Sequence, residues 1–264
     1  MSIRKILLSL LGEKRYLSAV AGFFPYIYRA GLLGRNYQDI YFLKQIIAEG
    51  SWCVDIGAHL GYYTLELSRL AGDSGRVLAI EPMGRFNRTL QQLLKRRRIR
   101  NVSLYQVALG GTEDWVEMGI PRIGREKKFA YARVMESNAW LEFEETEKVK
   151  NEYGDHLFLG LPRLDFIKCD VEGLEVQVFM SMMGTLGAHR PMLLCELADK
   201  AERIRLYELI SPLGYHAYTL EKGYLLRMDP RSDHKAVSHN HYFIPPAHEQ
   251  RLGRLIRDSS ISQQ

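Results

Sequence analysis

The stretch Val54-Asp55-Ile56-Gly57-Ala58-His59-Leu60-Gly61-Tyr62-Tyr63-Thr64 runs from an apolar, strand-like segment through a glycine-bearing loop into a helical pattern. A second apolar segment follows and ends on an acid, Ala79-Ile80-Glu81-Pro82. Together they predict the nucleotide-binding half of a doubly wound α/β sheet. Gly57 and Gly61 would let the backbone approach a ligand, and Glu81 could accept from both hydroxyls of a ribose.

The glycine that is missing narrows the ligand. Dinucleotide loops read G-x-G-x-x-G, whose second glycine makes room for a pyrophosphate; here that position is His59 and the spacing is Gly-x-x-x-Gly. A ribose-bearing ligand without phosphates fits better, and S-adenosylmethionine is the common one. Asp55 and the loop amides are expected at its amino-acid end, with Gly57, Ala58, His59, Gly61 and Thr64 around it and Glu81 at the ribose. The plain alternative is a tight strand-to-helix turn that binds nothing.

Periodicity extends the α/β reading. Strands are expected at Ser51–Asp55, Arg76–Glu81, Val102–Val107, Phe166–Asp170 and Pro191–Leu197. Helices are expected at Tyr62–Ala71, Phe86–Arg98, Leu174–Leu186 and Ala201–Ile210. Two late strands, Tyr215–Leu220 and His241–Ile244, flank a loop holding Lys222-Gly223 and suggest a closing antiparallel hairpin. The segment Gly111–Leu161 interrupts this order with a strand-like Trp115–Gly119, a basic loop and a charged helix around Trp140–Tyr153. It would lie over the strand ends as a cover for the substrate.

The 264 residues, 46% hydrophobic and 25% charged, suffice for one good core. The expected division is a helical N-terminal extension over 1–50, a catalytic domain over 51–250 with the insertion at about 111–161, and a basic polar tail over 251–264. Cys53, Cys169 and Cys195 all sit in apolar runs without metal spacing, as reduced core residues of a cytoplasmic protein would.

Net charge is +5, concentrated in Lys95-Arg96-Arg97-Arg98 with Arg100, in Arg125-Glu126-Lys127-Lys128 and near Arg251, Arg254 and Arg257. Such runs can meet nucleic acid, a phosphorylated sugar or a membrane surface. The run at 95–98 also reads as the solvated C-terminal end of a helix, where cations oppose the dipole. Leu17–Tyr28 is too short an apolar stretch to cross a bilayer, which needs about 20 residues; it would rest on a membrane surface or pack on the domain.

These blocks, in this order, resemble the FkbM family of S-adenosylmethionine-dependent methyltransferases. The resemblance is carried by the first two stretches above, by Val107-Ala108-Leu109-Gly110, by Phe166-Ile167-Lys168-Cys169-Asp170-Val171-Glu172-Gly173-Leu174-Glu175, by Arg190-Pro191-Met192-Leu193-Leu194-Cys195-Glu196-Leu197 and by Asn240-His241-Tyr242-Phe243-Ile244-Pro245. His59 departs from the family's more frequent asparagine. The resemblance implies a Rossmann-like class I fold: a mostly parallel seven-stranded sheet closed by an antiparallel hairpin, with helices on both faces. It also implies methyl transfer to an oxygen of a sugar, glycan or secondary metabolite, and adds Ala108 to the cofactor residues.

Such a displacement needs an aligned acceptor and, for an alcohol, a group to take its proton. Asp170 is the preferred residue at the reacting centre, with Glu172 and Glu196 as supporting acids on neighbouring strand ends. Each acid has a plainer role as well, because an acid after a strand can cap the next helix. The same carboxylates could hold Mg²⁺, although no metal ligand is assigned. The histidine-rich run from His234 to His241 reads as a solvated loop.

A small-molecule or glycan acceptor is therefore the expected partner, with membrane-surface contact through the N-terminal segment open and no nucleic acid expected. The rival class is a nucleic-acid methyltransferase or RNA-binding protein using the basic runs. It lacks an amino-holding Asn/Asp-Pro-Pro-aromatic signature, since Asp170-Val171-Glu172-Gly173 occupies that place. A third class is a binding protein on the same scaffold without chemistry.

Overall fold

In the computed structural model, residues 10–32, 34, 37–111, 113–123, 126–127, 133–134, 142–232 and 239–257 are described. Two helices come first, α1 (Glu13–Arg29) and α2 (Gln38–Ile46). The nucleotide half follows as β1 (Trp52–Ile56), α3 (Tyr62–Ala71), β2 (Arg76–Ile80), α4 (Gly84–Arg96) and β3 (Val102–Tyr105). The interrupting segment contains β4 (Ala108–Leu109), β5 (Trp115–Ile123), β6 (Glu126–Lys127), β7 (Arg133–Val134) and β8 (Phe143–Glu152). Then come α5 (Gly154–Phe158), β9 (Phe166–Cys169), α6 (Glu175–Met180), α7 (Met183–His189), β10 (Met192–Glu196) and α8 (Lys200–Ile210). The chain closes with β11 (His216–Glu221), β12 (Tyr224–Arg227), β13 (Asn240–Ile244), α9 (Pro246–Leu252) and β14 (Ile256–Arg257).

The main sheet has the order β14-β12-β11-β13-β10-β9-β1-β2-β3. From β10 to β3 all strands are parallel, and β13 enters antiparallel between β10 and β11. Strand alternation splits the core across the two faces. Val54, Ile56, Ile167, Cys169, Leu193 and Cys195 pack with Val178 and Leu206 of α6 and α8. Cys53, Phe166, Met192 and Leu194 pack with Phe42 of α2 and Leu67 of α3. The Rossmann-like α/β architecture with helices on both faces is thus present.

Four expectations are corrected. Among the described residues the sheet has nine strands, because β12 and β14 extend it beyond β11. The closing hairpin is β11–β12, turned at Lys222-Gly223, whereas β13 pairs with β10 on one side and β11 on the other. The charged segment before Tyr153 is a strand, β8, antiparallel to β5. Its side chains alternate, with Val149 and Asn151 buried and Thr146, Lys148 and Lys150 exposed, so its period is two: the lysines face water while Glu145 and Glu147 turn inward to partners on α4. Trp140 lies outside the described residues, as do Arg125 and Lys128 of the second basic run and residues 233–238 of the histidine-rich run. The expected helix over Leu174–Leu186 is two short ones, broken between Met180 and Met183.

The described residues of the first fifty pack onto the domain. Leu17 and Ala21 of α1 join Phe86 and Leu90 of α4 in one buried cluster. Asp39 of α2, fully buried, accepts hydrogen bonds from Asn240 Nδ2 and Tyr242 Oη of β13, each at 2.9 Å. The three cysteines are free and buried, and burial pushes each thiol up, as core residues require.

Candidate active site

The chain runs outward from β1 to β3 and then returns to place β9 on the other side of β1. That reversal leaves a crevice outside the carboxyl ends of β1 and β9, where open α/β sheets bind ligands. A cavity of about 260 Å³ lies there. Asp55, Gly57, Ala58, His59, Glu81, Ala108, Asp170, Glu172 and Glu196 all line it. Gly61 and Thr64 are not in its wall.

The glycines serve the protein more than a ligand. Gly57 sits at φ 79°, and a Cβ there would come 1.9 Å from the carbonyl oxygen of Asp170. It is the close approach of the β1 and β9 loops that excludes a side chain. Gly61, at φ 85°, faces Leu90 of α4 in the same way.

The loop amides are also engaged within the chain. Those of Gly57 and Ala58 both donate to the Ile80 carbonyl at 3.0 Å, and that of Gly61 donates to Ala58 at 2.7 Å. The His59 amide donates to Glu81 Oε2 at 2.7 Å. Phosphate-binding loops need such amides pointing at the ligand, so the absence of a diphosphate follows from this bonding as well as from the spacing. The expectation that these four amides meet the amino-acid end of the cofactor is corrected for the same reason.

Two acids form the floor. Glu81, 4% exposed, takes amides from both His59 and Met83, and burial still pushes its carboxyl up to about 8. Each of its oxygens keeps a lone pair for a ligand hydroxyl. Asp55 is pushed up to about 6 by burial, although the Thr64 hydroxyl donates to it at 2.5 Å. Thr64 therefore acts on the site through Asp55. Met83, Phe86, Val107 and Leu109 supply an apolar wall, and the His59 ring leans on Phe86 with centroids 4.2 Å apart.

The other end of the cavity is built around a residue that motif reasoning passed over. Lys168 is 1% exposed in the middle of β9, register partner of Asp55 on β1 and Leu194 on β10, so it emerges on the same face as Asp55. Its Nζ lies 3.3 Å from Asp170 Oδ2 and 5.1 Å from the centre of the Tyr63 ring. Burial alone would lower the ammonium's pKa, but Asp170, Glu196 and Asp55 outweigh it and hold the value above normal. The signal was legible in principle: a lysine inside the otherwise apolar run Phe166-Ile167-Lys168-Cys169 must find buried acids.

Glu196, at the end of β10, is pushed up to about 7, first by burial and then by the neighbouring Asp170 charge, with a carboxyl hydrogen bond to Asp170 adding to the effect. Glu172 stands in a left-handed turn at φ 59°. That turn is tied down by Glu175, missed in the sequence reading, whose carboxylate accepts the amides of Val171 at 2.9 Å and Gly173 at 3.1 Å. Among the described residues no group of three or more His, Cys, Asp or Glu is arranged to hold a metal. The Lys168 ammonium already supplies the positive charge among these acids, so the geometry gives Mg²⁺ no support.

The interrupting segment reaches this site. Met118 of β5 and Val134 of β7 line the cavity, and Glu147 of β8 accepts the Gly84 amide of α4 at 2.9 Å. Arg85 of α4 ion-pairs with Glu145 of β8 and with Glu13 of α1. From the N-terminal side, Phe24 of α1 stacks on Tyr62, with ring centres 3.9 Å apart, and Tyr62 and Tyr37 both face the cavity.

The methyltransferase FkbM domain matches residues 55–226, well over half of the chain and every acid that lines the cavity. The chain belongs to the FkbM methyltransferase family. It is therefore a member of a family of S-adenosylmethionine-dependent methyltransferases.

Among solved structures, an FkbM methyltransferase from Methylobacillus flagellatus KT superposes with a TM-score of 0.52 at 19% identity, over 91% of this chain and 57% of that one. An S-adenosylmethionine-dependent O-methyltransferase from Thermotoga maritima gives 0.44 at 14% identity, over 78% of this chain and 63% of that one. A putative O-methyltransferase from Klebsiella pneumoniae gives 0.44 at 14%, over 91% and 94%. The chain thus spans about three fifths of the lengths of the first two. No curated protein matches it. No helix among the described residues is long and apolar enough to cross a membrane.

Proposed function

We propose that this FkbM-family chain transfers a methyl group from S-adenosylmethionine to a hydroxyl oxygen of a sugar, glycan or secondary metabolite. The observation that carries the reading is the Lys168-braced Asp170–Glu196 carboxyl pair facing the same cavity as Glu81. The cofactor supplies an electrophilic methyl on a sulfonium, which leaves as a neutral thioether. Glu81 accepts from the ribose hydroxyls, and Asp55 faces the cationic amino group of the methionyl end. The wall of Met83, Phe86, Val107, Ala108 and Leu109 takes the adenine.

The chain's own chemistry is then proton removal and alignment. Asp170 and Glu196 share a site and a hydrogen bond, and the acceptor's proton passes to this pair. Lys168 holds Asp170 in place, and the turn at Glu172 borders the acceptor. The cover formed by the 111–161 segment shields the cavity from water and selects the acceptor. Acids at the mouth would repel a phosphate backbone, which supports a small or glycan acceptor over nucleic acid.

Calorimetry with S-adenosylmethionine and its demethylated product tests the cofactor half: binding is expected, and none of either would leave only a scaffold. Glu81→Ala should weaken it roughly 10- to 100-fold, the worth of one or two buried hydrogen bonds, and unchanged affinity would remove Glu81 from the ribose. The acceptor half is tested by comparing metabolites and glycans from cells with and without the gene, seeking species lighter by one methylene equivalent.

Turnover should also report the pair. A base works deprotonated, so the rate is expected to rise with pH through about 7, following the raised Glu196 carboxyl. Glu196→Gln should cost on the order of 100-fold or more and erase that limb. A variant with the parent's profile would take the proton-accepting role away from Glu196.

A further inference from the structure

The basic run at the end of α4 has a neighbour that gives it a purpose. The inner face of α1 is spent on the core through Leu17, Ala21, Phe24 and Tyr28. Its outer face is not polar. Phe23 is 65% exposed and Tyr26 64%, with Ile27 beside them and Leu32, 74% exposed, just past the helix end. Positions 23, 26 and 27 form one stripe of a helix.

Arginines border that stripe. Arg97 donates to the Gly22 carbonyl at 2.7 Å and sets its guanidinium 5.4 Å from the Tyr26 ring centre, which fastens the end of α4 to α1. Beside it a surface cavity of about 380 Å³ is lined by Arg29, Arg69, Arg97, Arg98 and Arg100. Asp73 is the one carboxylate in its wall, and Glu66 pairs with Arg69 outside it, so positive charge remains in excess. Arg98 is held in a left-handed conformation, φ 56°, at the turn that ends α4.

We propose that this face docks the chain on an anionic phospholipid surface. The apolar side chains of Phe23, Tyr26, Ile27 and Leu32 would enter the interfacial region, and the arginines would meet lipid phosphates. Bare electrostatic attraction would suit any polyanion. The contiguous stripe of aromatic and aliphatic side chains selects lipid, because it gains from leaving water only where an apolar phase lies beside the phosphates. Contact is made through α1, whose opposite face carries Phe24 onto Tyr62 at the cavity, so docking would set the cleft close to the membrane plane.

Flotation of the full chain with vesicles tests this independently of any methyl transfer. Vesicles of about one part phosphatidylglycerol to two parts phosphatidylcholine should carry the protein upward, and phosphatidylcholine alone should not, with a difference of roughly tenfold or more that shrinks as salt is raised. A Phe23→Ser, Leu32→Ser double variant and an Arg98→Glu, Arg100→Glu double variant should each lose roughly tenfold in bound fraction at an unchanged melting temperature. Failure to float with anionic vesicles, or equal flotation with neutral ones, overturns the proposal. So does loss confined to the arginine variant, with a single-stranded oligonucleotide displacing the protein from vesicles, which would mark a nucleic-acid surface.

Discussion

Lys168→Met is expected to cost about 3–4 kcal/mol of folding stability at neutral pH, the lower part of the penalty for stripping one partner from a buried ion pair, because Lys168 and Asp55 are buried while Asp170 is 32% exposed. Asp170, Asp55 and Glu196 all face the ammonium, and among the described residues no other lysine or arginine lines their cavity. Methionine fills nearly the same volume, so the loss measures charge more than packing. The deficit carries a pH signature. Without the cation the Asp55 and Glu196 carboxyls, already raised to about 6 and about 7, climb further. A carboxyl whose folded value exceeds its unfolded one favours the folded state at low pH and loses that advantage as pH rises through the folded value. The gap between variant and parent in urea denaturation should therefore be small near pH 5 and widest near pH 8. Turnover, where any remains, should need a more alkaline medium than the parent. Identical denaturation midpoints at pH 8 would show that these acids do not depend on Lys168.

Gly57→Ala is expected to be at least as damaging, by a steric route. The left-handed backbone alone costs a non-glycine residue about 1–2 kcal/mol, and the new Cβ meets the Asp170 carbonyl at 1.9 Å. That contact is backbone on backbone, so relief means parting the loops that follow β1 and β9. The Asp170 amide's hydrogen bond to Ile56, at 3.1 Å, goes with them. A total of roughly 4 kcal/mol or more places the change among the severe point substitutions, and cofactor affinity should collapse along with it. Gly173→Ala is the control: its φ is 99°, yet a Cβ there meets nothing within 4 Å, so only the conformational part, about 1–2 kcal/mol, applies. Equal losses in thermal melts of the two variants would mean that the loops are not in contact.

The parts of this fold that were legible in the sequence are those set by local periodicity. Cys53-Val54, Phe166-Ile167 and Leu193-Leu194 announce buried parallel strands, because apolar residues fill both parities there. The acids at 55, 81, 170 and 196 could be placed at strand ends from that alone. The strand β8 was misread because Glu144-Glu145-Thr146-Glu147-Lys148 has a helix former's composition, and its strand period shows only in which side chains β5 covers. Pairings between distant segments were not legible either. Nothing near Asp39 points to Tyr242, and nothing at Lys222-Gly223 shows that the strand after its hairpin will slip inside it. Lys168 lay between the two cases. It was visible as an anomaly in an apolar strand, yet its meaning depended on Asp55 and Glu196 from two other strands as well as on Asp170 just past the end of its own.

The entry of β13 between β10 and β11 has a consequence for how the polypeptide is assembled. Until residue 244 is available, β10 exposes a bare edge and the β11–β12 ribbon has no strand to join it to the rest. An unpaired edge of that kind invites adhesion to other chains. Pairings of such long sequence separation also make for slow folding. A nascent chain stopped short of Asn240 would thus hold a complete glycine turn and a complete set of acids on an unsealed sheet, so the half that carries the chemistry depends for its solubility on a strand made well after it.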